Sequence, residues 1–235
     1  MARSPFWAIL PWPPEIPPEQ GNPVVERRFR DRQESLKRHR AMRDPKHRIL
    51  VVCEGKKTEP IYFKAFQHHV RNQLVHVEIV GEGGVPTTVV ELAIELRTAA
   101  ELEAKAHKDD NLRYDEVWCV FDVDEHPHLE EACTSALHAD IQLAISSPCF
   151  ELWALLHFQE QTEQIHRHDA QSTVKAYLPR YEKELDFRRL IAGYTDAVSR
   201  ASTLEALANS RGEPRRNPST GVFRLTERIR DAGQR

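Results

Sequence analysis

Ile49-Leu50-Val51-Val52-Cys53-Glu54-Gly55 is an apolar run that stops on an acid. Val117-Trp118-Cys119-Val120-Phe121-Asp122-Val123-Asp124 repeats the pattern further along the chain. Each apolar part is short and rich in β-branched or aromatic residues, which predicts a strand buried on both faces. Glu54 and Asp122 then stand where a buried strand meets its following loop, with Asp124 two residues on. In an open α/β sheet that edge is where ligands bind. Converging carboxylates repel one another unless a cation lies between them. Hard oxygen ligands with no Cys or His in the set favour Mg²⁺ or Mn²⁺ over zinc. The expected site is a divalent-metal centre on Glu54, Asp122 and Asp124, and phosphate is the natural substrate of such a centre.

Working outward, strands are predicted at 48–53, 75–80, 116–121 and 141–145. Helical patterns lie between them. Thr58 reads as a helix N-cap with Pro60 in the first turn, where its missing N–H costs nothing. Ile61, Tyr62, Phe63, Phe66 and Val70 give that helix a broad inner face. Further helices are predicted at 86–108 and 130–139, and another begins at Phe150. This alternation predicts an α/β fold, a mainly parallel sheet with helices on both faces. Residues 160–235 read as mostly helical, broken at Pro179, Gly193 and 211–218. The predicted organisation is a Pro-rich tail and basic arm at 1–44, a metal-binding core at 45–160 and a helical extension at 161–235.

A chain of 235 residues with net charge −3 suits one domain with decorations. The charge is unevenly spread. Residues 27–48 carry ten Lys or Arg against three acids, and a basic arm beside an acidic metal site suits a phosphodiester substrate. Residues 24–44 read as a polar helix that orders on a polyanion, because Val25, Phe29 and Leu36 give it little to bury. Cys53, Cys119, Cys133 and Cys149 show no C-x-x-C spacing, so reduced thiols are expected. No apolar stretch approaches membrane-spanning length. The run from Phe6 to Trp12 is broken by Pro11 and does not read as a signal peptide. The expected location is the cytoplasm.

Smaller motifs surround the acids. Gly55 allows close backbone approach by a ligand, and Lys56 and Lys57 are candidate phosphate contacts against a solvated-loop alternative. No second Gly or Ser/Thr stands at Walker A spacing, which excludes a P-loop. Glu82, within Gly81-Glu82-Gly83-Gly84, falls on the same sheet edge. His126 and His128 read first as a polar loop. Glu151 falls in a first helical turn, where a carboxylate complements the dipole; the sharper reading is a further catalytic acid or ligand. Cys149 has no assignable His–Asp partners, and His157 reads as a core histidine. Ser219 or Thr220 caps the last helix, and beside Arg215 and Arg216 that helix start is a candidate phosphate corner.

The segments Ile49–Phe63, Val120–Asp124, Ser147–Phe158 and Asn217–Thr220 resemble, in order, four motifs of the RloB family of bacterial restriction and phage-defence loci. The family's third motif more often opens with Asn than with Ser147. The resemblance implies a Toprim-like fold, whose pattern of one Glu after the first strand and Asp-x-Asp after a later one matches Glu54, Asp122 and Asp124. It implies a metal-dependent nuclease acting on DNA or RNA, tRNA included, in anti-phage defence or abortive infection. It also implies gating by a separate ATPase. Two rival readings stand beside it. One is a non-catalytic nucleic-acid-binding or regulatory subunit with the same fold. The other is a metal-dependent enzyme on a small nucleotide, which would not need the basic arm.

Overall fold

β1 (His47–Cys53), β2 (Val75–Gly81), β3 (Glu116–Asp122) and β4 (Gln142–Ser147) form a parallel sheet in the order β2-β1-β3-β4. A two-residue fifth strand, β5 (Ser219–Thr220), pairs antiparallel with β4. This computed structural model describes residues 46–81, 83–123, 128–179, 181 and 185–233. The Pro-rich tail, the basic arm up to Pro45, Glu82, Asp124 and His126 lie outside them. The α/β class and the mainly parallel sheet agree with the sequence reading, and β5 adds to it.

Residue alternation along the strands builds two cores. Ile49, Val51 and Cys53 of β1 point to one face with Trp118 and Val120 of β3. Leu50 and Val52 point to the other with Val117, Cys119 and Phe121. The first face is covered by α1 (Thr58–Val70), α4 (Glu151–Leu156), α5 (Arg167–Tyr177), α6 (Phe187–Ile191), α7 (Tyr194–Ser210) and α8 (Val222–Asp231). The second is covered by α2 (Pro86–His107) and α3 (Leu129–His138). Phe63, Phe121, Trp153 and Leu155 are fully buried, each worth about 1.5–3 kcal/mol of transfer free energy.

Local chemistry adjusts several boundaries. Lys57 stands at the N-cap of α1, and Thr58 is its first helical residue, buried against the site. Pro86 opens α2, and Thr88 Oγ1 accepts from the Val85 N–H at 3.1 Å. Gly221 holds the N-cap position of α8, while Thr220 Oγ1 accepts from the Val222 N–H at 3.3 Å. Gly193 starts α7 where α7 crosses the end of α4: a Cβ there would lie 1.9 Å from the His157 carbonyl oxygen. Among the described residues no helix is long and apolar enough to cross a membrane.

Candidate active site

Strand order positions the site. β1 runs through α1 to β2 on one side of it, and the chain then returns to place β3 on its other side. α1 and α3, which follow β1 and β3, therefore leave the sheet on opposite faces. A crevice opens where two such connections diverge, and ligands bind there. Glu54 and Asp122 sit at that point. The Glu54 N–H donates to Val120 O at 2.9 Å, extending the β1–β3 ladder by one bond. Its side-chain Oε2 accepts from the Asp122 N–H at 3.0 Å. The two acids are adjacent on one sheet edge, as the sequence reading requires.

A cleft of about 400 Å³ opens here, and Glu54, Glu59, Asp122, Glu151, Lys56, Lys57, Arg167 and Gln171 are among the residues that line it. Asp122 Oδ2 accepts from Arg167 Nη2 at 3.0 Å, and its side chain is only 15% exposed. Glu151 is the first residue of α4 and is buried. It accepts from the Tyr181 hydroxyl and, at 3.3 Å, from Gln171 Nε2. Glu59 is buried in the first turn of α1 with its carboxylate lying over Gly55: a Cβ on Gly55 would be 2.0 Å from Oε2. Gly83 has φ +73, and a Cβ on it would strike the Lys56 side chain. The glycine loop after β2 thus seats Lys56 at the rim.

The electrostatics follow from this crowding. Burial raises the Asp122 carboxyl well above the usual range, and Glu59, Glu151 and Glu54 raise it further. The Arg167 guanidinium pulls the other way. Four acids lining one cleft repel one another, a repulsion that positive charge offsets, as Arg167 does in part at Asp122. The donors are hard oxygens throughout, which fits Mg²⁺ or Mn²⁺ chemistry. Among the described residues, no group of three His, Cys, Asp or Glu converges tightly enough to hold an ion by itself. The expected third ligand, Asp124, lies outside the described residues.

Other predicted residues stand apart from the cleft. Arg215 pairs with Glu130 and contacts Cys133 Sγ at 3.2 Å, and Arg216 pairs with Glu213 at 3.0 Å. Ser219 and Thr220 form β5 and, with Arg215, line a separate hollow beside α7 and α8. His128 pairs with Glu131 at the surface. His157 is buried, its Nδ1 2.8 Å from Trp153 O, and burial lowers its pKa to about 4. The four cysteines are free. Burial raises the Cys149 thiol, with help from Glu151 and Asp122, the reverse of what a nucleophile needs.

Glu59, Arg167, Gln171 and Tyr181 are site residues that the sequence reading did not single out. Arg167 and Gln171 are four apart on α5 and share a face, but only tertiary structure brings that face to Asp122. The last of the four motif segments contributes to this. Asn217 Oδ1 accepts from the Ile165 N–H at 3.2 Å, and its Nδ2 donates to Ile165 O at 2.9 Å. The loop that delivers Arg167 is held there.

All four motif segments thus bear on one edge of one sheet. The RloB-like protein family matches residues 49–229, which span every described element except the first residues of β1 and the end of α8. The chain belongs to the RloB-like family. Searches of curated proteins and of solved structures return no match. Within this family member, the order of the four motif segments corresponds to a physical one: β1 end, β3 end, α4 start and the clasp on the α5 loop.

Proposed function

We propose that this RloB-like protein is a Mg²⁺- or Mn²⁺-dependent phosphodiesterase acting on nucleic acid in anti-phage defence. The observation that carries the reading is the acid cluster at the topological switch point. Glu54, Asp122, Glu59 and Glu151 crowd one cleft, and burial with mutual repulsion raises the Asp122 carboxyl. Glu54 and Asp122, joined by Asp124, are the residues proposed to hold the ion in a Toprim-like arrangement. When bound, a divalent ion supplies Lewis-acid polarisation of a phosphoryl oxygen.

The chain's own side chains do the rest. Lys56 and Lys57 at the rim hold phosphate oxygens by charge. Arg167 places a guanidinium beside Asp122, where it stabilises negative charge developing on a phosphoryl group. Glu151, fixed by Tyr181 and Gln171, offers an oriented acceptor for the proton of an attacking water. Membership of the RloB-like family supports the defence role and gating by a separate ATPase.

The test is incubation of the pure protein with Mg²⁺ or Mn²⁺ and a panel of DNA, RNA and tRNA, with Asp122→Ala as control. Calorimetric titration with Mn²⁺ runs alongside. Metal-dependent cleavage lost in Asp122→Ala supports the reading. Mn²⁺ binding that is equal in the wild type and in Glu54→Ala/Asp122→Ala sinks it.

A further inference from the structure

We propose that the outward face of α1 is a track for a nucleic-acid backbone, leading a single strand between the cleft and the far end of the sheet. The track rests on the phosphodiesterase reading and names the path that its substrate takes. Lys57, Lys64, His68 and Arg71 follow one another at intervals of seven, four and three residues. Lys64 and His68, one turn apart, share a face of α1, Lys57 and Arg71 stand at its N- and C-caps, and all four are exposed. The row starts at the cleft, which Lys56 and Lys57 line. At about 1.5 Å per residue it extends about 21 Å.

Two grooves flank the far end of the row. One, of about 640 Å³, opens beside the start of β2 and takes in Lys46, Lys64, His68, Arg71 and His76. The other, of about 610 Å³, lies against α6 and takes in His68, His69, Arg71, Phe187 and Arg188. Among the described residues no carboxylate lines either groove. Phe187 is half-buried in the second, its ring 5.9 Å from that of His69. An aromatic ring beside a cationic groove is the arrangement on which an unpaired base stacks.

Ion pairing separates these cations from others on the surface. Arg215, Arg224, Arg228 and Arg230 each sit on a carboxylate. Lys46, Lys56, Lys57, Lys64 and Arg71 have no carboxylate within ion-pair distance among the described residues. A cation already paired releases little on meeting a phosphate. An unpaired one contributes its full counterion-release effect. A small phosphorylated substrate filling the cleft would leave this row and both grooves unused.

The test uses the full chain and a fluorescein-labelled single-stranded oligonucleotide, read by anisotropy over a salt series with EDTA to prevent cleavage. Lys64→Glu/Arg71→Glu is compared with Lys105→Glu/Lys108→Glu at the end of α2, and circular dichroism melts verify that both fold. The track predicts at least a tenfold loss of affinity for the α1 pair and a log–log salt slope flatter by about 1.4, for two single-strand phosphate contacts. The α2 pair should stay near the wild type. Affinity and slope unchanged in the α1 pair, or lost equally in both pairs, overturn the track. If the wild type still cleaves in that event, the phosphodiesterase reading survives. A wild type that neither binds nor cleaves any nucleic acid overturns both.

Discussion

Gly55→Ala isolates the seat of the Glu59 carboxylate. Gly55 lies outside the positive-φ region, so alanine suits its backbone and the effect is steric. The added Cβ would stand 2.0 Å from Glu59 Oε2, 2.7 Å from Cδ and 2.8 Å from Oε1. Ordinary contact is about 3.5 Å, so the carboxylate must retreat by about 1.5 Å. Glu59 is only 7% exposed and shares its cleft with three other acids. Retreat therefore drives it into packed atoms or toward another carboxylate. The expected loss is about 1–3 kcal/mol, the usual range for overpacking. Urea unfolding in metal-free buffer measures it through a shifted midpoint at constant slope. In a Glu59→Ala background the obstruction is gone, and Gly55→Ala should then cost less than about 0.5 kcal/mol. Equal losses in the two backgrounds would refute the placement of Glu59 over Gly55.

Further outcomes follow from the same geometry. Asp122→Asn should become more stable relative to the wild type as pH rises from about 4, since a raised carboxyl binds more protons folded than unfolded and loses stability on the way to its folded pKa; a flat difference between the two thermal-melt series over pH 4–8 would count against it. Tyr181→Phe removes a buried donor to Glu151 and should cost about 1.5–3 kcal/mol in urea unfolding, with a loss of any metal-dependent cleavage larger than that of the distant Tyr177→Phe. Gly193→Ala forces a Cβ to within 1.9 Å of the His157 backbone oxygen, where neither side yields, so a loss of at least about 3 kcal/mol is expected; a soluble variant with an unshifted midpoint would refute that crossing.

The sheet was legible because β1 and β3 are short apolar runs, buried on both faces, that end at acids. Helical patterns between the runs then gave the parallel order. β5 was not legible: two residues carry no period, and Ser219 and Thr220 become a strand only by pairing with Ser147 and Ser146. Glu54 and Asp122 could be placed because strand ends of a parallel sheet share an edge. Glu59 could not, since one turn of helix after a glycine does not say which way its carboxylate points. Arg167 opens a largely polar helix and Tyr181 lies beyond its end, so only tertiary packing aims them at the acids. Arg215 and Arg216 show the converse, because adjacency to a helix start did not reveal that Glu130 and Glu213 were within reach.

The clasp of Asn217 on Ile165 gives the cleft an order of assembly in time. Glu151 leaves the ribosome about 66 residues ahead of Asn217, an interval of about 3–13 s at ordinary elongation rates. Through that interval the nascent chain already holds the Glu54, Asp122 and Glu151 carboxylates. It lacks the side chain that brackets the loop carrying Arg167, the β5 partner of β4, and α8. The cleft is therefore finished only by residues made well after its acids. Whatever chemistry it performs begins once Asn217, β5 and α8 have been added.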